Sequence, residues 1–262
     1  MTVAVVLLGH GSRRGSRTDT GLQDVTQRLR QRMGPDIPVR MAGWEFTQPS
    51  LAEAVGDLVR QGARRVLVMP YFLFDGKHVL EEIPEEMERL RAAHPGVELA
   101  LTRTLDVDDR IAQLAAERVW RALGNDSPGP DVGIVVVNRG SRRRYNAGDH
   151  LRQLTAMTAE VVGHGVRAHH AQAEYESPTI EEAAEALAAS GARTLVVLPY
   201  ILFPGKVLYD NILPAVRRVQ VRFPALSVRM AVTLGVDDRM VDVAYERLRE
   251  AGLPPDGSGL TG

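Results

Sequence analysis

The chain contains one long internal repeat. Segments Gly62–Phe74 (GARRVLVMPYFLF) and Gly191–Phe203 (GARTLVVLPYILF) are identical at 8 of 13 positions. A glycine-bearing loop lies upstream of each segment, GHGSRR at Gly9–Arg14 and NRGSRRR at Asn138–Arg144. Because both copies must be able to adopt the same structure, the repeat predicts two similar domains within the 262 residues rather than one large domain.

Each copy alternates short apolar, β-branched runs with longer amphipathic stretches, which is the pattern of a parallel sheet covered by helices. The predicted fold class is therefore α/β, with two tandem doubly wound, Rossmann-like domains related by a pseudo-twofold axis. The predicted boundaries are 1–124 for the first domain and 131–251 for the degenerate second copy, joined by a turn-rich linker. Residues 252–262 are expected to form a flexible tail.

Charge and cysteine content restrict the functional class. Basic and acidic residues nearly cancel, with a formal net charge of -1, so no overall basic field attracts nucleic acid. The chain has no cysteine, which excludes disulfides, thiolate zinc sites and iron–sulfur clusters. We expect a monomeric, pseudo-dimeric cytoplasmic protein without a nucleic-acid or membrane partner.

Three potential metal ligands follow the first three predicted strands of the first copy, namely His10, Glu45 and His78. Ligands of an open parallel sheet bind outside the carboxyl ends of its strands, so these side chains are expected at one edge. Imidazole and carboxylate together suit Fe²⁺, Co²⁺, Ni²⁺ or Zn²⁺. The pattern predicts a metal site at this edge.

Comparison with the second copy indicates that only the first copy carries a functional metal site. We expect Asn138 in place of His10 and Val207 in place of His78. The alternative is that each histidine is a structural, hydrogen-bonded residue. Glu45 has a counterpart in Glu174, so its role as ligand, base or structural carboxylate stays open.

Basic residues follow the glycine loops and the third strands, and guanidinium groups bind carboxylates in a bidentate manner. An acidic ligand is therefore predicted, and the alternative is that these are solvated loop charges. Neither loop has the spacing of a nucleotide-binding motif. The candidate substrate-binding residues are Arg13, Arg14, Lys77, Arg139, Arg142 and Arg143.

The GHGSR loop, the PYFLF strand and the GKH turn resemble the sirohydrochlorin chelatases of the class II, ATP-independent chelatase superfamily. The resemblance extends from Val3 to Leu248. It implies a chelatase-like fold and a lyase that inserts Fe²⁺, Co²⁺ or Ni²⁺ into the carboxylate-rich ring of sirohydrochlorin, for siroheme or cobalamin biosynthesis. The metal is then a substrate and no cofactor is expected. By position, His10 and His78 match the family's active-site histidines, and Glu45 matches its acidic helper.

Two alternatives remain at this point. One is a chelatase for another tetrapyrrole or for nickel. The other is a non-catalytic carrier of tetrapyrrole or metal, which would bind its ligand stoichiometrically without turnover.

Overall fold

A computed structural model describes residues 2–11, 17–141 and 147–254. The described residues form two compact units, each a four-stranded parallel sheet with helices on both faces, so the predicted α/β class is confirmed. The strands are β1 (Val3–Gly9), β2 (Val39–Gly43), β3 (Arg65–Pro70), β4 (Glu98–Leu101), β5 (Val132–Asn138), β6 (Arg167–Gln172), β7 (Thr194–Pro199) and β8 (Ser227–Met230). The helices are α1 (Arg17–Met33), α2 (Leu51–Arg60), α3 (Ile83–Ala93), α4 (Asp109–Leu123), α5 (Ala147–Val162), α6 (Ile180–Ala189), α7 (Leu213–Arg222) and α8 (Asp238–Glu250).

The first unit has the strand order β2-β1-β3-β4, all parallel. Alternate strand residues such as Val6 and Val68 pack with Leu58 and Met87 of α2 and α3 to form a core on one face. Helices α1 and α8 cover the opposite face. Both faces of β1 and β3 are therefore buried, which explains why these strands are continuous apolar runs without polar alternation.

The second unit repeats this arrangement, with the order β6-β5-β7-β8. Residues such as Val135 and Val197 pack with α6 and α7, and α4 and α5 cover the other face. A π-helical turn precedes the third helix of each repeat, at His78–Glu82 and at Val207–Ile212.

Helix starts follow the capping rules. Ser50 caps α2 through a capping box with Glu53, and Thr179 does the same for α6. The side chain of Asp108 accepts a hydrogen bond from the Arg110 amide at the start of α4.

The compact units differ from the continuous segments that were expected. The first unit comprises residues 1–106 and 236–262, and the second comprises residues 107–235. Helix α8 therefore packs on α1 and β3, and α4 packs on α5 and β7. The boundaries 1–124 and 131–251 describe the sequence repeats, whereas each compact unit takes its last helix from the other repeat.

Two buried arginines at equivalent positions fasten the exchanged helices. Arg247 of α8 donates to the carbonyl of Leu105 through Nη2 at 2.9 Å. Arg118 of α4 donates to the carbonyl of Leu234 at the same distance of 2.9 Å. Each helix is thus bonded to the loop that follows the fourth strand of its own unit.

The flexible tail was expected to begin at residue 252, but the structure holds residues 252 and 253 in place. Leu253 is buried, and the carbonyl of Gly252 accepts a hydrogen bond from Arg65 Nη1 at 2.9 Å. These contacts tie the chain to the first unit as far as Leu253. Residues 255–262 lie outside the described part of the chain. Within the described ranges, no helix has both the length and the apolar character needed to cross a membrane.

Candidate active site

Two histidines meet at the carboxyl edge of the first sheet. His10 directly follows β1, and His78 begins the π-helical turn after β3. These strands are hydrogen-bonded neighbours, with Leu8 level with Pro70. The two imidazole ring centroids lie 5.0 Å apart, and the ring planes are nearly perpendicular at 86°.

This spacing suits two rings that share one ion. Imidazole nitrogens coordinate divalent metals at about 2.0–2.1 Å, which puts each ring centroid about 3.2 Å from the metal. Two such rings at near-tetrahedral angles have centroids about 5 Å apart. The centroid separation of His10 and His78 therefore matches that of two imidazoles bound to one dication.

A polar network holds His78. Its Nδ1 atom lies 2.5 Å from Oε2 of Glu82. The indole N–H of Trp44 points at the same pair, with Nε1 3.0 Å from Nδ1 and 3.3 Å from Oε2. Lys77 Nζ donates to the other carboxylate oxygen, Oε1, at 2.5 Å. The hydrogen bonds from Lys77 and then from His78 lower the pKa of Glu82 to about 2, so the carboxylate is ionised.

Glu45 is placed beside His10 through the backbone. Its amide donates to the carbonyl of His10 at 2.8 Å. Its own carbonyl lies so close to Gly11 that a Cβ at that position would be 1.8 Å from the oxygen. Across residues 2–11, 17–141 and 147–254, no three or more His, Cys, Asp and Glu side chains are grouped so as to hold a metal ion. The structure thus brings His10 and His78 together and leaves Glu45 outside a three-ligand cluster.

The second unit corrects the expected counterpart of His10. The amide of Glu174 donates to the carbonyl of Arg139 at 2.8 Å, which is the bond that Glu45 makes to His10. Asn138 is the last residue of β5, as Gly9 is of β1. Arg139, not Asn138, therefore occupies the position of His10, because the NRGS loop aligns residue by residue with GHGS.

The equivalent site in the second unit is filled by its own ion pair. Arg139 Nε lies 3.2 Å from Glu174 Oε2, and Asn211 Nδ2 donates to Glu174 Oε1 at 2.8 Å. Burial alone would raise the pKa of Glu174, but the hydrogen bonds from Arg139, Tyr175 and Asn211 outweigh it and lower the pKa. With Val207 in place of His78, this position carries no histidine pair.

The predicted basic residues fall into two groups. Lys77 and Arg139 are described, and each is paired with a carboxylate, Glu82 and Glu174 respectively. Four others lie outside the described residues, namely Arg13, Arg14, Arg142 and Arg143.

The sequence profile of the CbiX family matches this chain twice, over residues 4–122 and 133–251. The chain belongs to the CbiX family. The two matches coincide with the two repeats, so each repeat is by itself a CbiX segment.

Named relatives of this CbiX chain are similar over nearly its whole length. A sirohydrochlorin cobaltochelatase of Priestia megaterium is 23% identical over 94% of this chain and 79% of its own length. A sirohydrochlorin ferrochelatase of Bacillus subtilis is 23% identical over 98% of this chain and 95% of its own length. The solved structure of SirB from Bacillus subtilis with Fe³⁺ superposes with a TM-score of 0.83, at 20% identity, over 95% of each chain. That likeness shows the chelatase fold.

Sequence reasoning missed Glu82 as part of the CbiX site, and it missed the hydrogen bonds that Trp44 makes there. A signal for Glu82 was available, since it stands four residues after His78 and its counterpart in the second copy is Asn211. Two exposed apolar side chains, Phe46 and Leu80, follow Glu45 and His78 along the chain. Both add exposed apolar surface to the segments that carry Glu45 and His78.

Proposed function

We propose that this CbiX protein is a sirohydrochlorin chelatase that inserts Fe²⁺ or Co²⁺ into sirohydrochlorin, for siroheme or cobalamin biosynthesis. The observation that carries the proposal is the histidine pair, with ring centroids 5.0 Å apart at the open edge of a CbiX sheet. Relatives named as cobaltochelatase and as ferrochelatase support both metals. Cytoplasmic location and a monomeric state belong to the same proposal.

The reaction exchanges two pyrrole protons of the macrocycle for one dication. In this proposal His10 and His78 hold the incoming metal as a substrate, and a neutral imidazole or the Glu45 carboxylate accepts the released protons. Two protein ligands leave coordination positions open for the ring nitrogens. A looser hold than that of a structural metal site favours transfer, since the ion must leave with the product.

The macrocycle has an apolar face and an acidic periphery, and the site offers partners for each. Phe46 and Leu80 are 53% and 49% exposed, so they present apolar surface next to Glu45 and His78. Peripheral carboxylates would be bound by Lys77 and by the arginines that follow the glycine loops. We include Arg13, Arg14, Arg139, Arg142 and Arg143 in this proposed role. Binding energy at the periphery can supply the strain that exposes the ring nitrogens to the metal.

Anaerobic insertion into sirohydrochlorin, followed by the absorbance of the ring, tests the proposal. Fe²⁺, Co²⁺ and Ni²⁺ are compared at matched free concentration. We expect His10→Ala and His78→Ala each to lower the insertion rate by about 100-fold or more. His94→Ala, at the end of α3, is the matched histidine control and should leave the rate unchanged.

The alternatives give different results in the same assay. A carrier would bind one equivalent of ring or metal and show no turnover with excess sirohydrochlorin. A chelatase for another tetrapyrrole would be faster with that ring than with sirohydrochlorin. Wild-type insertion rates in both histidine variants would contradict the proposed roles of the pair.

A further inference from the structure

We propose that Glu82 is a positioning residue that holds His78 with a proton on Nδ1 and so turns Nε2 toward the metal. The proposal rests on the proposed function, in that it takes His78 as a residue that binds the metal. It concerns a carboxylate that does not itself reach the ion.

The proton arrangement follows from the distances. Nδ1 of His78 and Oε2 of Glu82 are 2.5 Å apart, and two unprotonated acceptors at that distance would repel each other. A proton must lie between them, so Nδ1 donates to the carboxylate. The single N–H of Trp44 then donates to Oε2, which is 3.3 Å from Nε1. In the neutral imidazole this assignment leaves the Nε2 lone pair available to a metal.

Glu82 is itself held in place. Lys77 Nζ binds Oε1, so each carboxylate oxygen has a charged or polar partner. His78 and Glu82 are four residues apart in the π-helical turn, in which the amide of Ile83 donates to the carbonyl of His78. Such turns often occur at functional sites, because they shift side chains out of regular helical register.

The second repeat shows that the Trp44 and Glu82 side chains occur together with the histidine, and that the π-helical turn forms without them. Its π-helical turn is retained at Val207–Ile212. Three network residues are nevertheless replaced together, Trp44 by Ala173, His78 by Val207 and Glu82 by Asn211. The remaining lysine, Lys206, pairs with Asp210 instead, at 2.5 Å. The carboxylate and the indole are absent where the imidazole is absent, so their role is to serve the imidazole.

Nitrogen NMR of the metal-free protein labelled with ¹⁵N-histidine reads this arrangement directly. At about pH 9, above the ordinary imidazole range, protonated and unprotonated ring nitrogens give separate signals. The His78 signals are assigned by their absence in His78→Ala. We expect wild type to show the Nδ1–H tautomer and Glu82→Gln to lose this preference, because an amide can also donate to Nδ1.

The matched control is Glu85→Gln, which removes an exposed carboxylate from the next turn of the chain and should keep the wild-type tautomer. Circular dichroism establishes that each variant is folded. Trp44→Phe replaces the indole by a smaller ring without an N–H donor. Because Nδ1 can still donate to Glu82, this second variant should keep the wild-type tautomer.

Metal insertion completes the test. Loss of an outer carboxylate partner of a metal-binding histidine typically costs 10–100-fold, so we expect about that loss in Glu82→Gln and none in Glu85→Gln. A wild-type tautomer in Glu82→Gln would overturn the proposal, as would an altered tautomer with an unchanged insertion rate. If wild type inserted no metal, the proposed function would fail, whereas the NMR comparison would still decide whether Glu82 orients His78.

Discussion

The backbone that carries the histidine pair is present a second time without the histidines. The amide of Glu45 donates to the carbonyl of His10 in the first unit, and the amide of Glu174 donates to the carbonyl of Arg139 in the second, both at 2.8 Å. Gly11 and Gly140 have φ angles of 85° and 89°. The residue before each π-helical turn has the same conformation, with φ of -50° in both copies and ψ of -45° and -43°. Arg139→His with Val207→His should therefore recreate a histidine pair in the second unit.

The expected magnitude can be worked from the comparison of the two units. The pair created by Arg139→His and Val207→His is tested in a chain that also carries His10→Ala and His78→Ala. This chain should bind about one Co²⁺, whereas the chain with only the two alanine substitutions should bind none at the same Co²⁺ concentration. The affinity should be about 10–100-fold weaker than that of the natural pair, since Asn211 stands in place of the orienting carboxylate. Adding Asn211→Glu should recover most of this factor.

Isothermal titration calorimetry with Co²⁺, together with the visible absorbance of the bound ion, measures both stoichiometry and affinity. Val207→His alone in the same background is the control, because one imidazole should bind far more weakly than two. A folded double graft that binds no Co²⁺ would refute the inference that the second unit preserves the geometry of the site.

Two further predictions concern the scaffold. Arg247→Ala should lower the free energy of unfolding by about 3 kcal/mol, because it leaves the buried carbonyl of Leu105 without its charged donor. Denaturant unfolding measures this loss. A loss below about 1 kcal/mol would contradict the proposed role of the arginine in holding α8. Gly11→Ala should cost about 1–3 kcal/mol more than Gly62→Ala, since both glycines have positive φ but only the first would place a Cβ against a backbone oxygen, that of Glu45. Equal losses in these two variants would contradict the close approach at Gly11.

Local patterns predicted the elements of this fold well. Short apolar runs mark the central strands β1, β3, β5 and β7, because a parallel strand that is buried on both faces has no polar alternation. Helix starts were predictable where a short polar side chain caps the first turn, as at Ser50 and Asp108. The convergence of His10 and His78 followed from the order of their strands, since adjacent parallel strands end at one edge.

The exchange of α4 and α8 was not predictable from these patterns. The sequence VDDR spans the start of both helices, and both carry a buried arginine at the same position, Arg118 in one and Arg247 in the other. An amphipathic pattern shows that a helix has an apolar face but not which sheet that face covers. Two near-equivalent helices facing two near-equivalent sheets leave that choice to the loops that connect them.

The error at Asn138 and the omission of Glu82 have the same origin. Both concern residues around a histidine, since Arg139 occupies the position of His10 and Glu82 is the partner of His78. In the folded chain the functional unit is larger than the histidine, because an imidazole that must present Nε2 needs an acceptor at Nδ1, and that acceptor needs partners of its own. The second copy has lost Trp44, His78 and Glu82 together and has filled the space with the Arg139–Glu174 pair. A duplicated domain can therefore identify outer residues of a site within one chain, once the two copies are aligned by their backbone hydrogen bonds instead of by residue type.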